Sequence, residues 1–275
     1  MKEKYKIGDI SKLLGIPIQT LHYYEKCGFV TPSKDEQNHY RYYDAWDVNF
    51  LLDSKYLRSL RFSNAEIEQM INKDSMEEIH SRFDTQEKKL LDIIYHYQAV
   101  LDELYSENRR LSSFQNHIEK FQEMKSPQLL FNRYRFNNTY NIATDQNGEM
   151  PRISSWLEHL PFVKATFIIS HEGIKEKKQD ELAYWWGFSV SPGRAKELQI
   201  PTEAPVQYVP SRQSVYTVFS AHEANTFIPS LYAKVLKPIW EMGYEISDFP
   251  IGRLLVRSHE EKQYTRYFEI WVPVQ

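Results

Sequence analysis

The side chains able to do covalent or metal chemistry are too scattered in this chain to assemble it by spacing. Its nine histidines never fall four residues apart, the interval that sets two ring nitrogens on one helix face for a metal. Cys27 is the sole cysteine, which excludes a disulfide scaffold and any thiolate pair within one chain. No glycine-rich phosphate loop and no nucleophile–base pair is legible. Neither catalysis, a cofactor nor a metal is expected. Binding chemistry is what is concentrated. Tyr184-Trp185-Trp186-Gly187-Phe188-Ser189-Val190 gathers rings into one stretch of a chain that is 15% aromatic. Ring faces attract cations and cover flat apolar molecules.

Those rings need a frame, and glycine and proline mark it. Proline occurs at 17 and 32 and then not until Pro127, and glycine is absent from 29 through 147. Stretches free of both favour helices. Residues 1–126 are therefore expected to be largely helical, and 127–275 a strand-and-turn domain with some helix, the boundary lying near Lys125-Ser126-Pro127. Tyr184–Val190, Ser214–Phe219 and Tyr267–Val274 read as strands, with a helix around Phe227–Met242 that Pro229 and Pro238 punctuate. Alternation puts Tyr184, Trp186 and Phe188 on one strand face and Trp185 on the other.

Charge names no partner: 34 Lys and Arg stand against 37 Asp and Glu, net −3. The first 74 residues carry eleven of each sign, so a basic patch requires acids clustered elsewhere. No run approaches the ~18 apolar residues of a membrane span. The start, Met1-Lys2-Glu3-Lys4-Tyr5-Lys6, has no apolar stretch behind it, so no secretory signal is expected. A soluble cytoplasmic protein with no membrane partner is expected.

Two short helices open the chain. Ile7, Ile10, Leu13 and Leu14 form one apolar face stopped by Gly15, and Ile18 to Lys26 follows, ending at Gly28. This is a helix-turn-helix outline, one that any small helical domain can also show. A long helix over Glu77–Glu123 then carries Leu90, Ile94, Tyr97, Leu101, Leu104, Asn108, Leu111, Gln115 and Ile118 at alternating steps of four and three. That is a coiled-coil seam, extended backwards by Met76, Ile79 and Phe83. So narrow a stripe needs a second surface, either another domain of the chain or, as favoured here, a second copy in a symmetric homodimer.

Residues 5–70 resemble the DNA-binding domain of the MerR family of bacterial transcription regulators. The likeness runs through Tyr5-Lys6-Ile7-Gly8-Asp9-Ile10-Ser11-Lys12-Leu13-Leu14-Gly15-Ile16 and Thr20-Leu21-His22-Tyr23-Tyr24-Glu25. It continues through Gly28-Phe29-Val30-Thr31-Pro32, Tyr40-Arg41-Tyr42-Tyr43 and Leu60-Arg61-Phe62-Ser63, then Glu66-Ile67 and Met70. The family usually has Arg where His22 stands and often Gly where His39 stands. The resemblance implies a winged helix-turn-helix over 1–75, a coiled-coil dimerisation helix over 76–121 and a separate domain over 127–275. It also implies a recognition helix in the major groove, with wings on phosphates. In that setting Gln19 suits adenine, Thr20 a thymine methyl or a phosphate, and His22 stands where the family's Arg would. Tyr23, Tyr24 and Tyr42 offer hydroxyls to phosphate, one of the adjacent tyrosines being expected in the core, while Arg41, Arg58 and Arg61 offer charge.

The last domain looks like the GyrI-like α+β effector-binding domain of the multidrug-sensing, BmrR-like branch. That likeness implies ligand contacts from Tyr184 and Phe227, with Trp185, Trp186, Phe219, Tyr140 and Tyr244 as further ring candidates. The branch's buried glutamate corresponds here to Ile251, so Glu181 or Glu269 is the expected carboxylate for a cationic effector, unless rings alone hold it or the effector is neutral. The family mechanism is activation: an effector-loaded dimer distorts an overlong promoter spacer so that RNA polymerase can initiate. An alternative is a hydrolase or small-molecule binding protein, with Glu181 beside the aromatic run.

Overall fold

Lys6, Ile10 and Gly15 set the first reversal of the chain. Strand β1 (Tyr5–Lys6) leads into α1 (Ile7–Leu14), which buries Ile10 and stops at Gly15, whose φ of 62° is the left-handed region glycine enters without strain. Helix α2 (Ile18–Lys26) then lays Leu21 and Tyr24, three residues apart, into the same core. Strands β2 (Ser33–Lys34) and β3 (Arg41–Tyr43) form a hairpin that pairs with β1 in the order β1-β3-β2, the wing of the motif. Helices α3 (Ala45–Ser59) and α4 (Asn64–Asn72) start on reciprocal capping boxes, Asp44 with Asp47 and Ser63 with Glu66. Leu51, Leu57, Phe62 and Ile67 close the core against Phe29 and Tyr43.

The computed structural model describes residues 4–36, 40–137, 153–179, 182–222, 226–260 and 263–275, and the chain divides into two units, 1–97 and 98–275. The division falls inside the long helix α5 (Met76–Ser113). Within the first unit α5 is tied down by Gln86 Nε2 donating to the Leu60 carbonyl at 2.9 Å, by the Arg82–Asp74 ion pair and by Phe83 against Phe62 at 5.2 Å. Farther along, the expected seam positions Ile94, Tyr97, Leu101, Leu104 and Leu111 are exposed apolar side chains. The helix is shorter than the seam predicts. It ends at Ser113, a 3₁₀ turn covers Phe114–His117, and Ile118 bridges Val218 of the sheet. Gln115 and Ile118 keep the spacing but serve the turn and the sheet.

The second unit is built on one eight-stranded antiparallel sheet. In chain order the strands are β4 (Gln122–Lys125), β5 (Leu129–Phe136), β6 (Lys164–Ile169), β7 (Tyr184–Val190), β8 (Gln207–Val209), β9 (Gln213–Ala221), β10 (Ile251–Glu260) and β11 (Gln263–Pro273). In space they run β4-β9-β11-β10-β6-β7-β5-β8. One face carries Phe167, Tyr184, Trp186, Phe219, Phe268 and Ile270 and packs the helical segment 228–241. That segment is continuous through a π turn at Tyr232–Leu236 ahead of Pro238, which absorbs the missing amide rather than breaking the helix. The other face carries Phe131, Ile168, Ile251 and Trp271. Gly187 and Gly252 lie so close to the rings of Phe131 and Phe167 that neither position has room for a Cβ. Phe188 packs with Trp156 and Val190 in a separate small cluster.

Candidate nucleic-acid interface

Burying Leu21 and Tyr24 of α2 turns Gln19, Thr20 and Tyr23 outward. They line a groove of about 700 Å³ whose other walls are Gly15, Ile16 and Pro17 of the turn, Lys55, Arg58 and Ser59 of α3, and Asn64 of α4. Two cations and no carboxylate line it. Its wall is hydrogen-bonded into place: Lys55 Nζ donates to the Leu14 carbonyl at 2.7 Å, Arg58 Nη1 to Asn64 Oδ1 at 2.6 Å, and Asn64 Nδ2 to the Tyr23 hydroxyl at 2.9 Å. Tyr24 is a core ring, 3% exposed and 5.0 Å from Phe29, so Tyr23 is the tyrosine of the pair that faces solvent.

His22 and Arg41 line a second groove of about 530 Å³ with Glu25 and Lys26. Tyr42 lines a third of about 350 Å³, with Lys4, Asp44, Trp46 and Asn72 among its neighbours. Arg61 is exposed at the α3–α4 turn, where its φ of 69° is left-handed. Eight of the nine expected residues thus distribute over α2, the α3 wall, the wing and the turn, and the ninth, Tyr24, is in the core. Lys55, Ser59 and Asn64 were not among them. Lys55 and Ser59 flank Arg58 at helical spacing, a signal that one cation-bearing face of α3 is shared.

The equal charge count of this region is resolved locally. Asp9, Asp44, Asp47 and Glu66 serve helix N-termini, Glu68 pairs Lys73 at 3.1 Å, and Asp74 pairs Arg82. Glu66 shows how tightly: the Ser63 hydroxyl and amide, aided by Lys89 at 3.1 Å, bring its pKa down to about 2 against the opposing effect of burial. With these acids committed elsewhere, the first groove keeps its positive wall.

In the second unit Tyr140 and Glu181 lie outside the described residues. Tyr184, Trp186 and Phe219 converge on Phe227, at 4.8, 5.9 and 6.4 Å between rings, and all four are buried. Burial raises the Tyr184 pKa, while the Thr226 hydrogen bond and the charges of Arg135 and Arg266 pull it back. Trp185 lies on the opposite face, 4.6 Å from Phe136 and under the Arg133 guanidinium at 4.7 Å. Tyr244 donates to Glu123 Oε1 at 2.5 Å. Glu269 is 2% exposed, between Arg253 at 2.8 Å and Arg110 at 3.0 Å, with the Tyr216 hydroxyl 3.4 Å away. Its charge is already balanced by two guanidinium groups.

A sequence profile described as MerR HTH family regulatory protein matches residues 5–74. The HTH-type transcriptional regulator ZntR homolog of Haemophilus influenzae is 31% identical over 107 residues, 36% of this chain and 79% of that protein. Nodulation protein NolA of Bradyrhizobium elkanii is 32% identical over 66 residues, 24% of this chain, and the chain spans only 30% of NolA's length. Among solved structures, the EcmrR–DNA complex aligns over 98% of this chain and 99% of its own, at 18% identity and a TM-score of 0.34. The profile lies on the wing and the acid-free groove, and the Haemophilus relative is covered over most of its length: the chain belongs to the MerR HTH family of regulatory proteins.

Proposed function

We propose that this regulator binds duplex promoter DNA as a homodimer, seating the first turns of α2 in the major groove, and activates transcription when its C-terminal unit takes up a lipophilic small molecule. The observation that carries the DNA reading is the groove around Gln19, Thr20 and Tyr23, positive-walled by Lys55 and Arg58 and free of carboxylates. Phosphates meet such cations, and Gln19 at the helix start meets base edges. The exposed apolar stripe on α5 supports the dimer. The last turns of α5 pair with the sheet of the second unit through Arg110 and Glu269, a direct physical connection between dimerisation helix and sheet. Effector-driven distortion of the promoter spacer, opening it to RNA polymerase, is the activation step this reading implies.

The effector is read as lipophilic because four of its candidate rings, Tyr184, Trp186, Phe219 and Phe227, form one cluster. A cationic preference draws little from the described residues: Glu269 is committed to two arginines, and the charges acting on Tyr184 are Arg135 and Arg266. A mobility shift on the DNA upstream of the protein's own gene tests the reading, with Gln19→Ala and Arg41→Ala as weakened controls. No shift by the folded, unmutated protein ends it. Thermal-shift screening against cationic, neutral and anionic hydrophobic compounds identifies the effector class.

A further inference from the structure

Glu25 is an acid in the wrong place for every simple reason. It sits in the last turn of α2, where the helix dipole disfavours a carboxylate, and it lines a groove with His22, Lys26 and Arg41 where DNA phosphate is expected. By charge alone it would repel the duplex. The wing explains it. Lys34 and Arg41 are direct cross-strand partners in the β2–β3 hairpin, and like charges placed opposite each other destabilise a ladder. Glu25 lies between them, Oε2 accepting from Arg41 Nε at 2.6 Å and Oε1 3.6 Å from Lys34 Nζ. His22 Nδ1 is 3.8 Å from Oε2. Burial works against the charged carboxylate, but the hydrogen bond and charge of Arg41, with Lys34, more than offset it and hold its pKa below the usual range.

We propose that Glu25 is a positioning residue for DNA binding: it anchors the Nε edge of Arg41 and screens Arg41 from Lys34, so that the terminal guanidinium nitrogens meet a backbone phosphate at a fixed angle. A guanidinium has five donors in a rigid fork, and committing one edge orients the other. The recognition helix thereby sets the aim of the wing. The inference rests on the DNA-binding reading above and adds to it the role of one acid.

The test titrates the full-length protein against a fluorescently labelled duplex carrying the region upstream of its own gene, at several salt concentrations. Charge removal alone predicts tighter binding by Glu25→Gln. Positioning predicts weaker binding, by about three- to tenfold, and a salt dependence shallower by about 0.9, the slope of one lost phosphate contact. In an Arg41→Ala background the same substitution carries no such cost. Arg41→Lys, which keeps the charge but has no second donor edge, loses about as much as Glu25→Gln. Equal or tighter binding by Glu25→Gln, or an undiminished loss in the Arg41→Ala background, overturns the inference. Should Glu25→Gln fail to fold by circular dichroism, Arg41→Lys decides, and unchanged affinity in it is the overturning result. A folded, unmutated protein that leaves the duplex free fails the DNA-binding reading itself, and this inference with it.

Discussion

Arg110, in the final turn of α5, donates from Nη1 to the buried Glu269 carboxylate at 3.0 Å, joining residues 159 apart in the chain. Around them Arg110 also pairs Glu107, Lys164 pairs Glu103 and sits 2.6 Å from Glu107 Oε1, and Arg253 completes the ring at 2.8 Å. Three cations and three carboxylates balance, so no net charge is left buried. Burial alone would raise the Glu107 pKa, but Lys164 and Arg110 outweigh it and lower it. The Tyr216 hydroxyl is pushed up by burial and then by the Glu269 charge beside it.

Removing one member of this cluster strands the others. Glu269→Gln leaves Arg110 and Arg253 without their shared anion, and breaking a buried pair costs about 3 kcal/mol. Five of the six tryptophans, Trp156, Trp185, Trp186, Trp240 and Trp271, lie in the second unit, so urea unfolding followed by tryptophan emission of a Trp46→Phe background reports that unit. A loss below about 1 kcal/mol would show that solvent or repacking satisfies the two arginines without Glu269.

How much of this was legible follows from chain distance. Tyr23 and Tyr24 are adjacent, which told that one of them is core but not that it is Tyr24, beside Leu21. Alternation told that Trp185 parts from Tyr184 and Trp186. The grip of Glu25 on Arg41, of Tyr23 on Asn64 and of Arg110 on Glu269 was not legible, because tertiary contact between distant polar residues leaves no period in a sequence. The end of α5 misled for a related reason. Ile118 continues the seam's spacing, yet its apolar side chain serves the bridge to Val218, and periodicity cannot distinguish which surface a buried residue meets.

Arg61 occupies a left-handed position at the close of α3, where its amide bonds to the Arg58 carbonyl at 2.9 Å and the Phe62 amide to that of Leu57 at 3.2 Å. A side chain there costs about 1 kcal/mol relative to glycine. Arg61→Gly is therefore expected to raise the melting transition of the first unit, read by helical circular dichroism. It removes a candidate phosphate contact at the same time, so DNA affinity falls as stability rises. Affinity unchanged in the stabilised variant would take Arg61 out of the interface.

The Ser63–Glu66 box gives the first unit a dependence on acid. The Glu66 pKa lies near 2 in the folded chain, below its ordinary 4.5. Its stabilisation is thus complete above about pH 4.5 and is lost as pH falls towards 2. The carboxylate is partly solvated, which screens the effect, so Glu66→Ala is expected to cost about 1 kcal/mol at neutral pH. Hydrogen-exchange protection of the first-turn α4 amides should drop on acidification in the unmutated protein. In Glu66→Ala it should already be low and change little. A parallel drop in both proteins would assign the acid sensitivity to another group.

The stripe on α5 is expected to decide the oligomeric state. Ile94 is 59% exposed and Leu104 62%, on a helix whose other faces carry charge, and water does not favour such a row left bare. Covering it with the same row of a second copy buries both at once, and the four-and-three spacing lets the side chains interlock. Sedimentation velocity of the unmutated chain is therefore expected to give a dimer. Ile94→Glu combined with Leu101→Glu places like charges in the seam and should give a folded monomer with its helical signal retained. If one helix-turn-helix grips a half-site only weakly, that monomer loses promoter affinity steeply, because two linked modules bind as one at high effective concentration. A double variant that stays dimeric would mean the copies meet elsewhere, and an unmutated chain that sediments as a monomer would leave the promoter-distorting mechanism without its second arm.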